Sequence, residues 1–146
     1  MEVYVFTSLP VIVLNVHLNI YSMSDFKFGP IQEKWLHSLE NNPERQMKDY
    51  LGEKCGEEYK ACCLGELALI AGVADWDEGG LLKVRSGISY SYCTLPNYKD
   101  LGLRSGSGAS NNGLTTLANL NDEGVTWPEI AKIIRENPEN YLSKSV

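Results

Sequence analysis

Residues 59–72 hold the longest apolar block in the chain that also carries helix punctuation: Ala61-Cys62-Cys63-Leu64-Gly65-Glu66-Leu67-Ala68-Leu69-Ile70-Ala71. Glu57 and Glu58 precede it, where negative charge suits the positive end of a helix, and Gly72 follows, where a left-handed residue closes one. The pattern predicts a central buried helix over 59–72. A segment this apolar must be surrounded, and 146 residues with 43% apolar content suffice for one core rather than two. The expected architecture is a single globular domain over 23–146 of α+β class, with about four helices packed on a small antiparallel sheet.

Helical spacing recurs on both sides of the block. Pro30 opens a pattern in which Ile31, Trp35, Leu36 and Leu39 form the core face, with Gln32, Glu33, Lys34 and His37 on the solvent face. Asn41-Asn42-Pro43 ends it, and a short helix is expected from Pro43. Near the C-terminus, Leu114, Leu117, Ala118 and Leu120 mark a short helix closed by Gly124. Thr126-Trp127-Pro128-Glu129 then starts a longer one, with Thr126 as cap and Ile130, Ile133 and Ile134 as its buried stripe. In between, Asp75, Asp77 and Glu78 read as a solvated acidic turn before Gly79-Gly80. Leu82 and Val84 alternate with polar residues and predict a hairpin with Ile88, Tyr90 and Tyr92 about Ser86-Gly87. The tyrosines serve there either as core or as a stacking surface.

The first 22 residues differ in kind. They contain no Lys or Arg, and Leu14, Val16, Leu18 and Ile20 alternate with Asn15, His17 and Asn19, the two-residue period of a strand. Pro10, Asn15, His17 and Asn19 make a poor membrane span, which needs about 20 mostly apolar residues. Met23-Ser24-Asp25 reads as a natural start, so 1–22 are expected to be a β-type extension upstream of it. No membrane association is expected.

The net charge of −6, with 13 Lys and Arg scattered along the chain, argues against binding duplex nucleic acid, which requires a basic face. Cys55, Cys62, Cys63 and Cys93 show neither a disulfide framework nor a C-x-x-C pair, and read as buried thiols in a reducing compartment. No metal and no cofactor are expected.

Three segments taken together carry a resemblance: Lys34-Trp35-Leu36, the Cys62-Cys63-Leu64-Gly65 block, and Leu120-Asn121-Asp122-Glu123-Gly124 followed by residues 126–134. In this order they resemble a group of small, largely uncharacterised bacteriophage and prophage accessory proteins. The resemblance implies a single domain working in the cytoplasm of a host bacterial cell. It implies no reaction and no catalytic residue.

The expected function is that of a non-enzymatic phage accessory protein. It would bind and sequester a small anionic, nucleotide-like host signalling molecule, or a host protein, as in counter-defence. Arg104 supplies bidentate contacts to a phosphate, and Ser105, Gly106, Ser107 and Gly108 form a glycine-rich loop able to turn amides on an anion. Tyr90, Tyr92 and Tyr98 are the rings available to stack on a base. The loop reads either as flexible or as an ordered cover over a ligand. Two further readings stand beside this one: a cysteine-dependent hydrolase or transferase pairing Cys93 with His17 or His37, and a virion structural component. Self-association through an unpaired strand edge is also expected to be open to such a fold.

Overall fold

Pro30 fits the first turn of a helix because its ring fixes φ and its missing N–H has no intrahelical partner there. Helix α1 accordingly spans Pro30–Asn41 and buries Trp35, Leu36 and Leu39. The computed structural model describes residues 25–85, 94–113 and 115–146. The N-terminal extension, the segment carrying Tyr90, Tyr92 and Cys93, and Leu114 lie outside the described residues.

After a 3-10 turn at Pro43–Arg45 come β1 (Gly52–Cys55), β2 (Glu58–Ala61) and α2 (Cys63–Ile70). Next are β3 (Ala74–Trp76), β4 (Leu82–Val84) and a second 3-10 turn at Tyr98–Leu101. The chain closes with α3 (Leu117–Asp122), α4 (Trp127–Glu136) and α5 (Pro138–Tyr141). The fold is a small α+β domain of five helices and two two-stranded antiparallel sheets among the described residues, β1 with β2 and β3 with β4. A bridge from Glu53 to Leu81, and the bond from Lys54 N to Gly80 O at 2.7 Å, fasten one sheet to the other. No helix among the described residues is long and apolar enough to cross a membrane.

The central helix is shorter than its sequence suggests. Its expected first turn is strand: Glu58–Ala61 pairs with Gly52–Cys55 across a turn in which Gly56 holds φ 67°. Helix begins only at Cys63, where the Cys62 thiol accepts the N–H of Gly65. The far boundary falls where expected, with Gly72 at φ 75° and Val73 N bonded back to Ala68 O at 3.1 Å. The partner expected for the Leu82–Val84 strand, residues 88–92, lies outside the described residues, and the strand has another, described partner. It pairs with Ala74–Trp76, drawn from the stretch read as an acidic turn, and Arg85 seals the join by a 2.6 Å ion pair to Asp75.

Helix α1 packs against α2 and α4, and α2 against α3, so the core gathers around the fully buried Trp35, Leu64, Leu67, Trp127 and Ile130. Arg135 of α4 reaches Glu40 at 2.6 Å and Glu33 at 3.1 Å on α1. The buried polar residues Gln32, Ser38, Glu66, Ser110 and Asn121 are paired, while the buried Asn97 Oδ1 has no partner among the described residues. Asn121 Oδ1 accepts from Cys63 N at 3.1 Å, Gln46 Nε2 at 3.2 Å and Trp127 Nε1 at 3.2 Å, while its Nδ2 donates to Met47 O at 2.6 Å. Gln32, placed on the solvent face by helical spacing, is instead fully buried, because the C-terminal segment lies across it.

Candidate functional site

Two concavities bear chemistry. The first begins with the segment after Pro96, where Tyr98–Leu101 makes a 3-10 turn and Gly102 closes it at φ 77°. The chain then runs beside its own C-terminal segment. Leu103 bridges Leu142, Arg104 N donates to Tyr141 O at 3.1 Å, and Ser143 N donates to Gly102 O at 2.7 Å. This zipper creates a cleft of about 370 Å³ lined by Tyr98, Lys99, Leu103, Arg104, Ser143 and Lys144. Arg104 Nε donates to the Glu139 main-chain oxygen at 2.7 Å, which steadies the guanidinium, and its terminal nitrogens have no hydrogen-bond partner among the described residues. Three cations thus share one cleft in a chain of net charge −6, and none pairs with a carboxylate among the described residues.

The glycine-rich loop takes a local role in building this region. Ser105 Oγ accepts from Ala109 N at 2.7 Å, and Gly108 N donates to Ser105 O at 3.1 Å. Its carbonyls are used as well: Gly106 O receives Leu95 N, and Ser107 O and Gly108 O receive the amides of Ala118 and Leu117 in the first turn of α3. Gly108 is required at φ 72°, with Leu117 Cβ 2.8 Å from where a side chain would start. Ser105, Gly106, Ser107 and Gly108 do not line the cleft, and of the described residues in the sequence-derived set Arg104 and Tyr98 do. Tyr90 and Tyr92 lie outside the described residues. Lys99, Lys144 and Ser143 were missed by sequence reasoning, since nothing local links positions 99 and 144.

The second concavity is larger, about 580 Å³, and lies against the β1–β2 hairpin. Glu44, Glu53, Glu57 and Glu58 line it together with Arg45, Lys60, Met47, Cys55 and Tyr59. Beneath it sits Glu66, 1% exposed, on the apolar helix α2. Ser38 Oγ donates to one carboxylate oxygen and Tyr59 donates to the other at 2.8 Å. Arg45 donates to the Tyr59 hydroxyl at 3.1 Å and lies 3.6 Å from Glu66. Burial, followed by the adjacent carboxylate of Glu66, pushes the Tyr59 phenol up to about 12. A lone acidic residue inside the most apolar run of the sequence was the available signal for this network.

Thiol chemistry finds little support in the described part of the chain. Cys62 and Cys63 are fully buried, and burial, reinforced by the neighbouring Cys62, pushes the Cys63 thiol well up, against thiolate formation. Cys55, read from sequence as buried, is exposed at the hairpin turn. His37 is exposed on α1, while His17 and Cys93 lie outside the described residues. No group of three or more potential metal ligands occurs among the described residues.

No protein-family model matches this chain, and neither a curated protein sequence nor a solved structure gives a significant match.

Proposed function

We propose that this protein is a non-enzymatic binder of a small anionic, nucleotide-like molecule, held in the cleft between residues 98–104 and residues 143–144. The observation that carries this reading is the convergence of Lys99, Arg104 and Lys144 beside the Tyr98 ring in a chain whose overall charge is negative. Cations brought together by the fold, without a carboxylate partner among the described residues, concentrate positive potential where a phosphate would sit, and the ring offers a face for a base. Arg104 provides planar donors and the lysines provide mobile ones, a combination suited to a group with several oxygens. The resemblance to phage accessory proteins assigns the ligand to a host bacterium, as a signalling molecule sequestered in the cytoplasm during counter-defence.

Calorimetric titration with a panel of cyclic and linear nucleotides tests this reading. At least one member is expected to bind in the micromolar range, more weakly as salt rises, because the cations are exposed to screening. Absence of binding across the panel at high micromolar concentration contradicts it and leaves a host protein as the partner.

A further inference from the structure

The cleft's second wall is Ser143 and Lys144, and the segment 143–146 that carries them is held by Gly102 through Ser143, by the Lys27 main-chain oxygen through Ser145, and by the Gln32 side chain, distant in sequence, through Lys144 and Val146. Gln32 Nε2 donates to Lys144 O at 2.8 Å, and Gln32 Oε1 accepts from Val146 N at 3.3 Å and from Gly29 N at 3.0 Å. The main chain of the same residue donates to Val146 O at 3.2 Å. Two glycines make room for this arrangement. A Cβ on Gly29 would overlap Val146 O, and one on Gly102 would lie 2.5 Å from Lys144 O and 2.7 Å from Gln32 Nε2.

Residues 29–32, 102 and 143–146 therefore meet at one point, and the side chain at their centre is fully buried. Lys144 and Ser143 line the cleft on one side of the segment, while their main chain is fixed from the other. A buried amide that spends both its donor and its acceptor on main-chain groups of another segment fixes the position of that segment.

On the reading of this cleft as an anion site, we propose that Gln32 is its positioning residue, acting through the Lys144 main chain to hold the Lys144 ammonium opposite Lys99 and Arg104. Gln32 itself touches no ligand. Its contribution to affinity is realised through Lys144, so the two residues behave as one unit, whereas a residue that only stabilised the domain would act independently of Lys144.

The test is a double-mutant cycle read by calorimetry with inorganic pyrophosphate at low salt, using the full chain. Gln32→Met keeps the side-chain volume and removes the amide; it is expected to weaken binding by about tenfold. In a Lys144→Ala background the same change is expected to have almost no further effect. Hydrogen exchange should show faster exchange at Val146 and Ser143 in the Met variant, with α4 unchanged. Should Gln32→Met fail to fold, Gly102→Ala disturbs the same main chain from the other side and enters the cycle in its place. Losses that multiply across the cycle, or a Gln32→Met protein that binds like the parent, overturn the inference while leaving the site intact. A parent protein that binds no pyrophosphate overturns the anion site and this inference together.

Discussion

The Tyr59 hydroxyl donates a 2.8 Å hydrogen bond to Glu66 Oε1, and this pair joins the β1–β2 sheet to the centre of the helical core. Glu66 is an acid on the most apolar helix, and its burial is tolerated because Ser38, Tyr59 and Arg45 all face it. Removing it leaves those groups without their acceptor. Glu66→Ala should lower unfolding free energy by about 2–4 kcal/mol, and Glu66→Gln, which keeps an acceptor oxygen for Tyr59, by about half as much. Urea denaturation followed by circular dichroism measures both. Equal losses in the two variants contradict this account of the network.

The same pair sets a dependence on alkaline pH. Tyr59 rises from its ordinary value of 10.0 to about 12, through burial first and the Glu66 carboxylate second. A phenol whose folded value lies above its unfolded value stabilises the fold as the protonated form. That contribution is complete below pH 10 and disappears as pH climbs through 12. Burial raises Tyr141 as well and acts in the same direction. Denaturation midpoints should therefore fall across this window, and Tyr59→Phe should fall less steeply than the parent. A Tyr59→Phe profile parallel to the parent's rules out Tyr59 as the source.

Asn121 is the second polar node of the core, joining α3 to α2, α4 and the segment before β1 through four hydrogen bonds. Asn121→Ala strands the Cys63 amide and the Met47 carbonyl without partners. The expected cost is about 2–4 kcal/mol, because buried groups left unpaired lose their solvation as well as their bond. Chemical denaturation reads the loss, and a change below about 0.5 kcal/mol, the range of ordinary surface substitutions, contradicts the role.

Gly65 reports how closely the central helix sits on Leu51, the residue just before β1. A Cβ there would overlap Leu51 O, which also accepts the Cys62 amide at 3.0 Å. Helix propensity alone favours alanine at this position, by roughly 1 kcal/mol. The clash should win, so Gly65→Ala is expected to destabilise by about 1–3 kcal/mol. A stabilised variant in a thermal melt contradicts the packing described.

Much of the helical framework was legible locally. Pro30 and Trp35, and Thr126 with Ile130 and Ile134, state the start and buried face of α1 and α4 within a few residues of one another. The expectation failed where a nonlocal partner decides. Residues 58–61 adjoin an apolar helix without a break in composition, and only pairing with Gly52–Cys55 makes them strand. Gln32 sits at a solvent-face position until residues 143–146 cover it. For the cleft, sequence pointed to Arg104 and Tyr98 but not to Lys99 or Lys144, because their proximity arises from the zipper between Leu103 and Leu142.

The central claim is that an anion binds between residues 98–104 and 143–144. It is tested most directly by titrating the isotope-labelled protein with the tightest-binding nucleotide from the panel while recording backbone amide chemical shifts. The account predicts saturable shifts centred on Tyr98, Lys99, Arg104 and Lys144, lost in an Arg104→Ala/Lys144→Ala variant. Shifts centred instead on Arg45, Cys55 and Tyr59 at the larger cavity, or binding retained in full by that variant, would contradict it.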